Sequence, residues 1–174
     1  YLTGTVGVGL PGDTSPASWL GRALTVSGLA VALLAPLTGV VASDPRRRRI
    51  ALTVLSALAV AFTASMVLIR ADPRYLAAGL ALLALTAACG DLASVPYNAM
   101  LRQLSTPRTA GRISGLGWAA GYTGSVLLLM IIYTGFIMGE GPTRGLLDLP
   151  VEDGWNVRMA MVMAACWFAV LALP

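Results

Sequence analysis

Apolar residues in this chain come in long unbroken runs, not in the alternation of a strand or the one-sided stripe of a surface helix. Five runs reach the length a membrane helix needs, about 20 residues for a hydrocarbon core about 30 Å thick. They extend approximately from Trp19 to Ala42, Ile50 to Ile69, Tyr75 to Asn98, Ile113 to Met138, and Val157 to Leu173. Lipid offers no partner to backbone N–H and C=O groups, so such runs predict helices, which satisfy those groups internally. The expected fold is all-α: a polytopic membrane helix bundle forming a single domain over residues 1–174. Before the first run, "TGTVGVGLPGDTSPAS" reads as a helix end followed by a Gly/Pro/Ser loop. The one long connection, "GEGPTRGLLDLPVEDGWN", separates the fourth and fifth runs.

Composition strengthens the membrane reading. Hydrophobic residues make up 57% of the chain and charged residues 11%, against about 25% charged in a soluble domain. All 12 basic residues are arginine, a usage that suits a GC-rich genome. The net charge of +4 is small and sits in the connections, which excludes nucleic acid as an expected partner. There is no histidine, and Cys89 and Cys166 lie inside apolar runs. Neither a disulfide, a metal site nor a cofactor is expected from such a set.

Arginines near the run ends set the expected orientation. Seven (Arg46 to Arg49, Arg102, Arg108 and Arg112) fall on one side and five (Arg22, Arg70, Arg74, Arg144 and Arg158) on the other. The first side, with four arginines in one tight loop, is assigned to the cytoplasm. Asp13, Asp72, Glu140, Asp148, Glu152 and Asp153 then lie outside. The sequence opens on Tyr1 rather than Met and stops within an apolar run. A piece of a longer protein is therefore expected, with one further helix ahead of Tyr1.

Two stretches carry more than hydrophobic character. In "APLTGVVASDPRRRRI", Gly39 is followed by small residues, by Asp44, and by Arg46, Arg47, Arg48 and Arg49. One reading is a positive anchor that also attracts anionic lipid head groups. The other is the loop joining the second and third helices of the major facilitator superfamily, which this stretch resembles. There a glycine and an acid followed by basic residues form a cytoplasmic gate. The acid is displaced by one residue, to Asp44 instead of Ser43.

The second stretch begins with Asp91, in "LTAACGDLASVPYNAM", about 10 Å from the expected inner end of its span at 1.5 Å per residue. A carboxylate at that depth needs a partner, a proton or water. Asp91, Ser94 or Val95, and Asn98 recur at helical spacing and form a polar stripe. Proton coupling or gating is one role for Asp91, and a structural bond to a neighbouring helix is the other. Pro96 predicts a kink below it. Beyond a short arginine-bearing loop, Gly111, Gly115, Gly117, Gly121 and Gly124 give the next span a smooth flank. The pairs Gly111/Gly115 and Gly117/Gly121 have the small-xxx-small spacing that brings helix backbones close.

Together "YNAML" and "GRISGLGWAAGYTG" closely resemble the vacuole effluxer-like family of the major facilitator superfamily. Tyr97, Asn98 and Ala99 match the run that ends its fourth helix. Gly111, Arg112, Ser114, Gly115, Gly117, Ala119, Gly121, Tyr122 and Gly124 match the run that opens its fifth. Arg102 stands where a proline is usual. The resemblance reaches from Tyr1 to about Ile132 and includes "YLTGTVG" and "LTVSGLAVALLAPLTGVVA".

The resemblance implies a major facilitator superfamily-like bundle in which these spans are helices two to six of a larger carrier. The chain would supply most of its N-terminal half and pair with a C-terminal half. It implies alternating-access export or uptake of small solutes, amino acids among them, driven by a proton or ion gradient. Arg112 would join the cytoplasmic gate, with Tyr97, Asn98, Tyr122 and Asp91 along a polar pathway. The arginine usage points to a bacterial plasma membrane. Two other classes are weighed against this one. A membrane enzyme lacks the expected nucleophile, metal ligands or paired acids. A non-transporting scaffold on the same fold is separable from a carrier only by a transport measurement.

Overall fold

Helix starts follow from a few capping residues. The computed structural model describes residues 1–7, 15–106 and 108–172. Five long helices dominate it: α1 (Pro16–Val41), α2 (Pro45–Ser65), α3 (Leu76–Leu104), α4 (Ala110–Ile132) and α5 (Trp155–Ala172). Ser15 caps α1 and Asp44 caps α2, each followed by a proline at the first helical position. There the missing N–H costs nothing. Asp72 caps a short 3₁₀ turn, Pro73–Tyr75, that leads into α3.

All five helices are long and apolar enough to cross a membrane, so the chain is an all-α, multi-pass membrane bundle. The observed helices differ from the hydropathy limits most at three ends: α2 starts five residues before Ile50, α4 gives way to a π-helical turn (Tyr133–Ile137) six residues before Met138, and α3 overruns its limit. That helix continues six residues past Asn98 to Leu104, because Leu101, Gln103 and Leu104 keep helical backbone after the apolar run thins. Pro96 lies inside it, almost wholly buried, and the helix runs through it without a break. Residues 8–14 of the expected first loop, including Asp13, and Leu173 at the expected end of the last span lie outside the described residues.

The helix α3 is the hub. It packs along both α1 and α2, and α2 in turn packs along α5. The Ser27 hydroxyl donates to the Ala84 carbonyl at 2.9 Å and ties α1 to α3. At the end away from Arg46–Arg49, Val6, Ile69, Leu76 and Leu80 form a small core, onto which Tyr1 and Leu2 fold from a single π-helical turn (Leu2–Val6). The connection after α4 returns over the end of that helix as a two-residue antiparallel pair, β1 (Thr143–Arg144) with β2 (Leu149–Pro150). Gly145 takes a positive φ of 71° there. A Cβ at this position would collide with the Gly135 backbone, so only glycine fits. Buried Asn156 donates from Nδ2 to the Phe136 carbonyl at 3.1 Å and fixes the start of α5 to the π-helical turn (Tyr133–Ile137) that follows α4.

Candidate functional site

Helices α3 and α4 run antiparallel and diverge enough to leave a groove of about 380 Å³ between them. Its α3 wall presents Ser94, Tyr97 and Asn98; its α4 wall presents Ser114, Trp118, Tyr122 and Ser125. Polar and aromatic groups thus meet in a cleft between two otherwise apolar spans. Ser94 donates its hydroxyl proton to the Asp91 carbonyl at 2.6 Å, and Ser125 donates to the Gly121 carbonyl at 2.9 Å. These back-bonds leave the serine oxygens in the groove with acceptor lone pairs only. The Trp118 and Tyr122 rings stand 5.8 Å apart at 32°. Gly117 faces Tyr97: a Cβ there would lie 3.4 Å from the Tyr97 hydroxyl, an ordinary contact.

Three residues expected on a polar pathway (Tyr97, Asn98 and Tyr122) are therefore brought together. Asp91 is not among the groove's lining residues. It is exposed on the same α3 stripe, three residues from Ser94 and seven from Asn98. Because α3 extends to Leu104, Asp91 lies near the middle of that helix. Among the described residues its carboxylate makes no hydrogen bond and no ion pair.

A second cavity, about 430 Å³, opens beside the first at the arginine-rich end, where Gly39, Arg48, Asn98 and Arg102 share its lining. The four consecutive arginines divide here. Arg46, Arg47 and Arg49 are exposed, whereas Arg48 is only 5% exposed. It donates to the Gln103 side-chain oxygen at 2.6 Å and to the Ala99 carbonyl at 3.3 Å, joining the start of α2 to the end of α3. Its Nε has no partner among the described residues. Asp44 forms no ion pair with these arginines among the described residues. One of its carboxylate oxygens instead accepts the backbone N–H groups of Arg47 (3.0 Å) and Arg46 (2.8 Å), as a helix cap. Those two N–H groups hold its carboxyl below the usual aspartate range. Arg112, expected in the same gate, is exposed at the start of α4 and lines neither cavity.

The α4 glycines have an unexpected setting. A Cβ added to Gly111, Gly115, Gly121 or Gly124 would meet nothing within 4 Å among the described residues, so only Gly117 has a close neighbour. The smooth flank faces open space and does not pack against another described helix.

Two features were not anticipated from the sequence. Trp118 belongs to the groove, and its signal was the stripe Ser114, Trp118, Gly121, Ser125, spaced by four, three and four. The other is a charge cluster at the opposite end. Asp153, held at a positive φ of 54°, lies 3.5 Å from Arg158 and 3.9 Å from Arg70, and accepts the Ala71 N–H at 3.3 Å. The Arg158 guanidinium also donates to the Val67 carbonyl and stacks on Trp155, 5.1 Å from the ring centre. The contacts that tie this cluster to Ala71 and Val67 join residues 82 and 91 apart, which leave no local pattern to read.

The chain matches no family model, and no curated protein or solved structure matches it.

Proposed function

We propose that the protein is a secondary transporter that moves small solutes across a membrane by alternating access. One observation carries the proposal: the polar, aromatic groove between α3 and α4, in a bundle of five helices apolar enough to cross a membrane. A purely structural helix pair has no need of hydroxyl, amide and phenol groups in a cleft of that size, whereas a solute site does. The resemblance of Tyr97–Gly124 to the vacuole effluxer-like family supports the same reading, since the matched residues include most of the groove's polar wall. It favours a major facilitator superfamily architecture, amino acids as one candidate solute class, and a proton or ion gradient as the driving force. Under this reading the Arg46–Arg49 end faces the cytoplasm of a bacterial cell. The groove would then be half of a mid-membrane site completed by a second helical half.

A second reading, a non-transporting scaffold on the same architecture, draws on α4, which buries none of its residues in the described bundle. Transport separates the two. Proteoliposomes carrying the full-length protein should accumulate or release members of a labelled solute panel under an imposed ion gradient. Asn98→Ala together with Tyr122→Ala should abolish that flux. A folded protein with no flux across a broad panel would favour the scaffold.

A further inference from the structure

We infer that the α3–α4 groove selects solutes carrying a positively charged ammonium group on an apolar body, with Asp91 as the counter-charge at its outer end. The inference deepens the transport reading and rests on it for the groove being a solute site.

Several of the groups facing the cleft are electron-rich. The hydroxyl protons of Ser94 and Ser125 are used on backbone carbonyls, so both oxygens offer lone pairs. The Trp118 and Tyr122 rings are exposed and paired, and the face of an aromatic ring is the negative part of its quadrupole. Tyr97 adds a third ring from the opposite wall. The rings and the two serine oxygens favour a cation, while the Asn98 amide and the tyrosine hydroxyls of the same lining remain free to donate to polar groups on the solute.

Asp91 supplies the formal charge. It lies one helical turn beyond Ser94 on the same stripe, about 4.5 Å further along the axis. Its carboxylate has no partner among the described residues. An unpaired carboxylate at mid-helix depth is costly, and a cationic solute would relieve that cost.

Position along the axis also argues against the carboxylate of an amino acid as the recognised group. No arginine lines the groove; the nearest on its two helices, Arg102 on α3 and Arg112 on α4, lie toward the end away from Asp91, with Arg102 11 residues from it, or about 16 Å along the helix. The two charges of an α-amino acid sit on adjacent carbons and cannot reach both ends. An ammonium bound near Asp91, with an apolar body against the rings, uses the groove without that conflict.

Choline and dimethylbutanol, its uncharged isostere with carbon in place of nitrogen, test the assignment. Binding is measured by equilibrium dialysis on the full-length protein in nanodiscs free of choline lipids, with empty nanodiscs subtracted. Choline should bind about tenfold or more tightly than dimethylbutanol. Asp91→Asn should remove that preference and Asp91→Glu should recover most of it. Trp118→Leu should weaken choline binding more than Trp118→Phe, which keeps a ring; thermal unfolding of each variant identifies any that fail to fold. Equal binding of the two probes would overturn the inference. So would a choline preference that survives Asp91→Asn, and if that variant also lost the pH dependence of transport, Asp91 would be a proton site instead. Selective choline binding without flux of any solute would keep the ammonium site and remove the transport reading. Flux of neutral solutes without choline preference would do the reverse.

Discussion

Helices α3 and α4 are neighbours of similar apolar character, and the most distinctive stretch of the sequence runs from one into the other, yet they live differently in the bundle. In the most apolar window of α3, 33% of residues are buried inside the protein; in that of α4 the share is 6%. The first is sandwiched between α1 and α2, with Leu80, Leu92, Ala93 and Pro96 turned inward. The second touches α5 and only an edge of α3. Hydropathy cannot separate them, because lipid and protein interior are equally apolar and a span suits either. What separates them is the distribution of side-chain partners, and the groove lies on the border between the two regimes.

The contrast breaks most directly at matched leucines. Leu80 is 5% exposed on α3, whereas Leu129 is 65% exposed on α4. Leu80→Ala leaves a cavity and should destabilise the protein by about 2–3 kcal/mol. Leu129→Ala should change stability by less than about 0.5 kcal/mol. Thermal unfolding in mild detergent reads both. Equal losses would mean that another element covers α4 in the folded protein.

Arg48 gives the next effect. It holds the end of α3 through two hydrogen bonds, one to a side chain and one to a carbonyl. Arg48→Ala should cost about 2 kcal/mol, in the range for hydrogen bonds from a charged group. Arg48→Lys should recover only part of it, because a lysine ammonium cannot reproduce the guanidinium fork. Arg47→Ala, on an exposed side chain, should lie within about 0.5 kcal/mol of the parent. If all four arginines in this run behaved alike, the division between strut and surface charge would fall.

A smaller effect is expected at the glycines. Gly115→Ala meets open space, and alanine is the better helix former by about 1 kcal/mol, so the variant should be unchanged or slightly more stable. A clear loss in the same melting experiment would reveal a partner packed on that flank.

The five spans and their order were legible in the sequence because unbroken apolar runs of about 20 residues have few other solutions. The end of α3 was not, since hydropathy marks where lipid contact ends and helical hydrogen bonding continued to Leu104. Asn98 was legible from its helical spacing to Asp91, and Tyr97 and Tyr122 from the family resemblance; the structure places all three in one cleft. The exposure of the glycine flank was not, because the spacing that permits close approach does not say whether a helix approaches. Asp44 shows a third kind of limit. The resemblance puts this acid in a cytoplasmic gate with the arginines that follow it, but its carboxylate is taken by the backbone N–H groups of the helix it begins.

That last point yields the smallest expected effect and a pH signature. The N–H groups of Arg47 and Arg46 lower the pKa of Asp44 in the folded protein relative to the unfolded chain. A depressed carboxyl pKa contributes stability that is fully present above the unfolded value, about 4. It is lost as pH falls through the lower folded value. The melting temperature of the parent should therefore drop toward that of Asp44→Ala as pH is lowered from 6 to below 4. The two should differ most near neutrality. Asp44→Ser keeps a capping oxygen without the charge, so it should retain part of the stability and lose this portion of the acid dependence. If Asp44 worked instead by pairing with the arginine side chains, high salt would erase the difference between parent and Asp44→Ala. A backbone cap, with donor and acceptor in contact, should keep most of it.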